Sequence, residues 1–407
     1  MLQGQGIQLG MQFAYFVFIA HVLGPSGYGT FVACTAVVLS LAPFSSWGTG
    51  QILVKYVARN RESFPTYFGN AIVITVLFGA GLTLILLLLR PVFLPAGVSP
   101  WMLGSVAIAD LICTQLTATC NLAYQSLDQP RRSASVLISA AIIRFGAALL
   151  LLVLPISAAE WATLYLIAGV VSSVYQIAGV IRFTSRPQVD LKLITPSLRE
   201  GFHFATSISA QTVYDNIDKT MLARLGNVES AAIYAVAYRF VDASMLPIRA
   251  LAAATYPEFF RHGQQGVSGA FRFAKRILRR SVLYGAGVTA FLFIAAGLIP
   301  IIMGKGYATS SEALRWLCPL PLIKSVHSFL TDTLTGSDFQ SERSTVQIGI
   351  AAFNVLINLW LIRVFSWRGA AWSSVITDFA LMGTLYLLIK RHIRKEAQTP
   401  TAPALRV

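Results

Sequence analysis

The chain has 407 residues, of which 55% are hydrophobic and only 12% are charged, and its mean hydropathy is +0.65. A soluble domain carries about 25% charged residues, so this composition excludes an ordinary water-soluble fold. A membrane-spanning helix needs about 20 mainly apolar residues, and such stretches follow one another almost from end to end. We therefore predict an all-α polytopic membrane protein without a separate soluble domain.

The net charge of +15 first suggests a nucleic-acid partner. The basic residues, however, fall mostly in alternate loops between apolar stretches, where they indicate membrane orientation. We therefore expect no nucleic-acid partner. The four cysteines lie inside apolar segments and the five histidines are scattered, so the pattern predicts neither disulfides nor a metal site.

Glycine and proline punctuation divides the chain into twelve predicted membrane segments. The first six cover roughly residues 3–22, 28–53, 67–90, 101–127, 133–154 and 160–181. The last six cover roughly residues 201–224, 230–257, 277–302, 312–336, 344–364 and 369–390. We predict an N-terminal six-helix half at 1–182, a cytoplasmic linker at 183–200, a C-terminal half at 201–391 and a cytoplasmic tail at 392–407.

Lysine and arginine are unevenly shared between the two sides of the predicted membrane. Counted with the adjoining ends of the segments, the even-numbered loops and the C-terminal tail hold 21 of these residues, whereas the odd-numbered loops hold 6. Cytoplasmic loops carry the excess of basic residues in membrane proteins. Both termini are therefore predicted to be cytoplasmic.

Two short patterns occur twice, half the chain apart. LGPSGYGTF at 23–31 is echoed by LGNVESAAIY at 225–234, and DQPRRS at 128–133 is echoed by DFQSERS at 338–344. With an even number of segments in each half, the halves would be parallel repeats around a central cavity. Internal repeats of this kind are typical of transporters.

Five basic residues fall well inside predicted segments, away from the segment ends. An ionisable group at bilayer depth costs at least about 2.5–3.5 kcal/mol, so it usually faces the interior of the bundle and marks a substrate or ion path. These candidate cavity residues are Arg144, Lys219, Arg239, Arg249 and Lys324. The acidic residues placed similarly are Asp110, Asp215, Asp218, Asp242, Asp332 and Asp378.

Helical spacing gathers some of these charges onto shared faces. Asp215, Asp218 and Lys219 lie on one face of the seventh segment, and a second set shares a face of the eighth. This second set consists of Arg239, Asp242 and Arg249. Two interpretations remain open: the charges line a cavity between the halves, or they form ion pairs that hold helices together. The spacing of Asp215 and Lys219 suits an internal pair, whereas Arg144 and Lys324 have no partner within their own helices.

Several motifs occur in an order and spacing that resembles a known family. The first half contains LGPxxYGxF at 23–31, GxG at 48–50 and LVKxxAR at 53–59. The second half contains NxDKxxLxxLG at 216–226, IYxxA at 233–237 and Pro257. Over nearly its whole length the chain resembles the Wzx-type polysaccharide-biosynthesis flippases, which export O-antigen and exopolysaccharide units. Their superfamily also includes multidrug and toxin extruders and the peptidoglycan lipid flippase.

The resemblance implies a function. Members of the family move undecaprenyl-diphosphate-linked oligosaccharide from the inner to the outer leaflet of the bacterial inner membrane through a cationic cavity. We therefore expect the five basic residues to bind substrate, and Asp215, Asp218 or Asp242 to take part in coupling to H+ or Na+, with no other cofactor. Lys219 departs from the family, which usually has Arg there, so the charge is kept but bidentate binding is lost.

The expected partners are the lipid-linked oligosaccharide, membrane lipids, and the glycan polymerase and chain-length machinery. A cation-coupled multidrug or toxin extruder of the same superfamily is the main alternative, although it would favour an acidic cavity. An enzyme, such as a membrane glycan polymerase, ligase or glycosyltransferase, would need a sizeable outer loop and a catalytic constellation. The odd-numbered loops are short and hold no such constellation, so we do not expect an enzyme.

Overall fold

The computed structural model describes residues 2–57, 59–152 and 157–398. Within these ranges it leaves out the side chains of residues 2–9, 152, 203, 204, 207, 208, 210, 211, 213–215, 253 and 257. Every regular element in the described ranges is a helix. The predicted all-α membrane fold is therefore confirmed.

The chain divides into two compact units, Met1–Ala232 and Ile233–Val407. The division falls inside a helix. The α-helices of the first unit are α1 (Leu2–Ser46), α2 (Thr49–Val57), α3 (Phe64–Leu88), α4 (Arg90–Phe93), α5 (Pro100–Ala107), α6 (Gln115–Ser126), α7 (Pro130–Leu149), α8 (Ala158–Phe183) and α9 (Leu191–Leu225). Helix α10 (Val228–Ser244) crosses the division. The second unit continues with α11 (Leu246–Gly263), α12 (Gly266–Ala295), α13 (Ile299–Met303), α14 (Ala308–Leu317), α15 (Leu320–Gly336), α16 (Gln340–Phe365) and α17 (Trp367–Gln398).

Within the described residues, eight helical stretches are long and apolar enough to cross a membrane, or nine if α10 and α11, bent by 44°, form one span. Within the described residues, all twelve predicted segments lie on helices apart from a few turn residues. The first two lie in one helical run that is kinked at Gly24, where φ is 64°. Helix α9 and the pair α14 and α15 do not reach this length and apolarity, so the number of twelve spans stays a prediction.

The predicted linker at 183–200 is only partly irregular, because α9 begins at Leu191. Asp190 starts this helix: its carboxylate accepts a hydrogen bond from the Lys192 N–H at 2.9 Å, which satisfies a backbone donor that the first turn would otherwise leave unpaired. The helix then packs along α1 inside the first unit. The functional boundary between two six-helix halves stays a prediction.

Apolar side chains lie both inside each unit and on its outside. Phe68 packs with Leu53 and Val180 in the first unit, and Phe259 packs with Phe329 in the second. On the outside of α12 and α13, Leu283, Ile294 and Ile301 are 76%, 79% and 78% exposed. Such exposure is favourable only against lipid. All four cysteines are buried, as predicted, and their thiols are free in the structure.

Candidate functional site

A buried carboxylate of the first unit, Asp110, is surrounded by three partners. Asp110 is 2% exposed and lies on a π-helical segment, Ile108–Thr114, between α5 and α6. The Tyr165 hydroxyl of α8 donates to Asp110 Oδ1 at 2.7 Å, and the Thr114 hydroxyl lies 3.2 Å from the same oxygen. π-Helical turns are rare and occur frequently at functional sites.

Arg144 of α7 completes this cluster. Its Nη2 lies 3.9 Å from Asp110 Oδ1 and donates to the Thr114 hydroxyl at 2.5 Å. The guanidinium also lies over the Tyr165 ring, 5.2 Å from its centre. The partners of Arg144 therefore lie on other helices, and the sequence of α7 alone does not predict them. Its side chain is nevertheless 30% exposed, so part of the guanidinium can still bind a ligand.

A second buried carboxylate, Asp378 of α17, organises a similar cluster in the second unit. Asp378 is 2% exposed, and its Oδ2 lies 3.7 Å from Lys324 Nζ of α15. Its Oδ1 lies 3.4 Å from His327 Nε2, one helical turn further along α15. Lys324 also donates to the Tyr238 hydroxyl of α10 at 2.7 Å. Both units thus hold an aspartate, a basic side chain and a tyrosine in contact.

Amide and hydroxyl groups extend the polar interior of the second unit. Asn358 donates to Asn354 Oδ1 at 3.0 Å, and Asn354 donates to the Thr377 hydroxyl at 3.1 Å. The Ser373 hydroxyl donates to Asn358 Oδ1 at 2.5 Å. All four residues are buried. A chain of satisfied polar groups fixes the register of α16 against α17, because any slip would leave buried groups unpaired.

The remaining predicted residues lie on α9, α10 and α11. Lys219 donates to Asn216 Oδ1 at 3.1 Å, and the neighbouring Asp218 is 5% exposed. The side chain of Asp215 lies outside the described part of the structure. On α10 and α11, Arg249 pairs with Asp242 at 3.2 Å, and Arg239 is exposed.

The described contacts therefore join three of the five predicted basic residues to carboxylates. Arg144 joins Asp110, Lys324 joins Asp378, and Arg249 joins Asp242. A single cationic site containing all five residues stays a prediction. Asp110 and Asp378 were predicted from the sequence to be intramembrane acids, but no role was predicted for them. His327 and Tyr165 were missed entirely, because one histidine and one tyrosine in an apolar helix carry no local signal.

Helix α2 contains a basic residue of the LVKxxAR motif that contacts α9. Lys55 Nζ binds Glu200 Oε1 at 2.6 Å, and the Tyr56 hydroxyl donates to the other carboxylate oxygen at 3.0 Å. The hydrogen bond from Lys55 lowers the pKa of the Glu200 carboxyl below its ordinary value. Close by, the Trp47 indole donates to the Leu198 carbonyl at 2.8 Å. These contacts fasten the beginning of α9 within the first unit.

Comparison with known proteins extends this description. A family model described as "Polysaccharide biosynthesis protein" matches residues 1–262. A protein of Escherichia coli (strain K12) named "Putative O-antigen transporter" is 22% identical over 409 aligned residues, which cover 95% of this chain and 94% of that protein.

Solved structures of similar fold come from the MOP superfamily. An inward-facing multidrug resistance transporter of the MATE family superposes with a TM-score of 0.78 at 15% identity, covering 97% of this chain and 96% of the other. A MOP superfamily transporter from Pyrococcus furiosus superposes with a TM-score of 0.63 at 14% identity, covering 97% and 94%. At such identities these likenesses establish the fold alone.

Proposed function

The chain belongs to the polysaccharide biosynthesis protein family, and from this premise we propose that it moves an undecaprenyl-diphosphate-linked oligosaccharide across the bacterial inner membrane. Its membership confirms the resemblance stated from the motifs. At the level of the family the chain is a membrane transport protein rather than an enzyme. The observation that carries the finer proposal is the family match, which covers more than half of the chain.

The partly exposed basic residues support an anionic substrate. Arg144 keeps 30% of its side chain exposed while Asp110 and Thr114 fix its guanidinium. A guanidinium held in this way retains donors for phosphate oxygens, and it loses little entropy when it binds them. Lys324, 14% exposed, offers a more enclosed ammonium. We propose that these two residues bind the diphosphate together with Lys219, Arg239 and Arg249.

Transport would proceed by alternating access, with both termini in the cytoplasm. Coupling to H+ or Na+ would use Asp215, Asp218 or Asp242, the acids that share helix faces with the proposed substrate residues. The glycan polymerase and the chain-length machinery would use the exported unit. The cavity side chains around the basic groups would determine which sugar is accepted.

Deletion of the gene in its host tests the proposal. We expect loss of surface glycan together with accumulation of the undecaprenyl-linked unit in the inner leaflet, measured by extraction of lipid-linked oligosaccharides. Complementation with Arg144→Gln or Lys324→Gln should restore surface glycan poorly at normal protein levels. Arg315→Gln is a matched control, because Arg315 lies near the outer end of the tenth predicted segment and is not among the five proposed cavity residues.

The same strains separate this proposal from export of cationic compounds. An extruder of the same superfamily would leave surface glycan unchanged on deletion and would raise sensitivity to cationic drugs. That result would overturn the proposed substrate while leaving the family and the fold intact.

A further inference from the structure

A groove on the first unit combines free positive charge with an apolar helix face. It has a volume of about 310 Å³ and lies between the ends of α6, α7 and α8. Ligand pockets range from roughly 300 to 1,000 Å³, so the groove is large enough for a small polar headgroup. Arg132 and Arg182 lie in its wall together with Tyr124, Tyr175, Ser135 and Gln176.

The two arginines are available for an anion. Both are exposed, and among the described residues neither forms an ion pair with a carboxylate. The Arg132 guanidinium lies over the Phe183 ring, 3.9 Å from its centre, which orients the group without neutralising its charge. Two guanidinium groups without a counter-ion at one groove are a site for phosphate oxygens.

The groove has a fixed polar floor. Gln176, 4% exposed, donates to the Ser139 hydroxyl at 2.6 Å, which joins α8 to α7 below the arginines. Ser135, one helical turn before Ser139, is exposed and also lines the groove. The Ser135 hydroxyl donates to the Arg132 carbonyl at 2.7 Å, so the oxygens of a bound headgroup would compete with that carbonyl for its proton.

An apolar stripe on α8 leads directly to the groove. Ile167, Val171, Val174 and Tyr175 follow the i, i+4, i+7 and i+8 spacing of one helix face and are 51–62% exposed. Arg182 continues that face two turns beyond Tyr175. Such a stripe suits an acyl chain, and the arginines at its end lie where the phosphate of the same lipid would be.

We propose that this groove is a specific site for an anionic phospholipid of the cytoplasmic leaflet. Arg132 and Arg182 would bind the phosphodiester, and the α8 stripe would hold an acyl chain. Both arginines belong to loops predicted to be cytoplasmic, and the cytoplasmic leaflet carries negative lipid charge. The site is separate from the Arg144 and Lys324 clusters, so it does not depend on what the protein transports.

Lipid titration of the full-length purified protein in detergent tests the site. Native mass spectrometry would count bound dioleoylphosphatidylglycerol against dioleoylphosphatidylcholine. We expect selective binding of the anionic lipid, weakened about tenfold or more in Arg132→Gln/Arg182→Gln. The matched control is Arg131→Gln/Arg186→Gln, which removes two neighbouring charges that do not line the groove and should weaken binding clearly less than the groove pair does.

A second variant tests whether the shape of the groove is needed in addition to its two arginines. Ala178 lines the groove, so Ala178→Phe should block it while both arginines remain, and binding should fall as in the double arginine variant. Equal losses in the two arginine pairs would indicate diffuse attraction to anionic lipid and would overturn the site. Displacement of the phospholipid by undecaprenyl diphosphate at far lower concentration would overturn the assignment to bulk lipid.

Discussion

Asp128 and Asp338 adopt the same left-handed backbone conformation, half the chain apart. Their φ angles are 57° and 66°. Asp128 N–H donates to the Gln125 carbonyl at 3.1 Å, and Asp338 N–H donates to the Thr335 carbonyl at 3.3 Å. The residue after each aspartate donates five residues back, at 2.9 Å in both cases. The pair of bonds is a Schellman motif that ends α6 and α15 in the same way, so the second sequence echo is also an echo in structure.

The left-handed conformation makes both turns sensitive to side-chain shape. We expect Asp128→Val and Asp338→Val to lower the apparent melting temperature by similar amounts, since a branched side chain in this region costs roughly 1–2 kcal/mol. Asp→Gly at either position should be neutral or stabilising, because glycine adopts positive φ freely. Thermal unfolding of the purified protein followed by tryptophan fluorescence checks this. Tolerance of valine at one position only would show that the two turns are not energetically equivalent.

The Arg144–Asp110 pair should stabilise the first unit through charge and hydrogen bonding together. Asp110→Asn removes the charge that compensates Arg144, and breaking a buried pair costs about 3–5 kcal/mol. Because Arg144 is 30% exposed, solvent should reduce this loss toward the lower end of that range. Adding Arg144→Gln to Asp110→Asn should restore part of the stability, and a double-mutant cycle measures the coupling. Additive losses would show that the 3.9 Å pair contributes nothing.

The Asp378 cluster contains two basic neighbours, which should contribute unequally. Lys324 binds both Asp378 and Tyr238, whereas His327 approaches only Asp378 among the contacts described. We therefore expect Lys324→Met to destabilise the protein clearly more than His327→Gln. Tyr238→Phe should reproduce part of the Lys324→Met loss, about 1 kcal/mol, because it removes one hydrogen bond without a change of shape. A larger loss for His327→Gln than for Lys324→Met would contradict this ranking.

The sequence predicts features that depend on a periodic pattern repeated over many residues. It does not predict features of the site that depend on single contacts between distant residues. Composition and helical period were sufficient for the all-α membrane fold. The partners of Arg144 and Lys324 lie on other helices, 34 and 54 positions away at Asp110 and Asp378, and no local spacing encodes such contacts. The turn echo at Asp128 and Asp338 has matching geometry. The Leu-Gly echo does not, because Gly24 has φ 64° inside a helical run whereas Gly226 ends α9 with φ −102°.

The Lys55–Glu200 contact predicts a pH effect of definite sign. Because its pKa is lowered below 4.5 in the folded protein, the Glu200 carboxylate stabilises the fold fully above the unfolded-state pKa, about 4.3. That contribution is lost as pH falls through the folded-state value. The melting-temperature difference between wild type and Glu200→Gln should therefore be present at pH 6 and shrink below about pH 4.3. Lys55→Met should show the same shrinkage, and a difference that stays constant with pH would contradict the assignment.

Glu396, near the end of α17, caps the beginning of α12. Its carboxylate oxygens accept from the Val267 N–H at 2.5 Å and the Ser268 N–H at 3.0 Å, and α12 has no acidic residue of its own in the first turn. The carboxylate thus replaces an N-cap side chain and complements the positive end of the helix.

Removal of this cap should loosen both helix ends. We expect Glu396→Ala to cost about 1 kcal/mol and to speed tryptic cleavage in the basic end of α17, at Lys390, Arg391, Arg394 or Lys395. Gly266→Ala should have a similar or larger effect, because φ is +81° and a Cβ there would lie 2.6 Å from Glu396 Oε1. Glu342→Ala is a suitable control, since the described contact of its carboxylate is with His392 of α17 at 2.9 Å. Faster cleavage in Glu342→Ala than in Glu396→Ala would show that the contact with α16, rather than the cap, holds the end of α17.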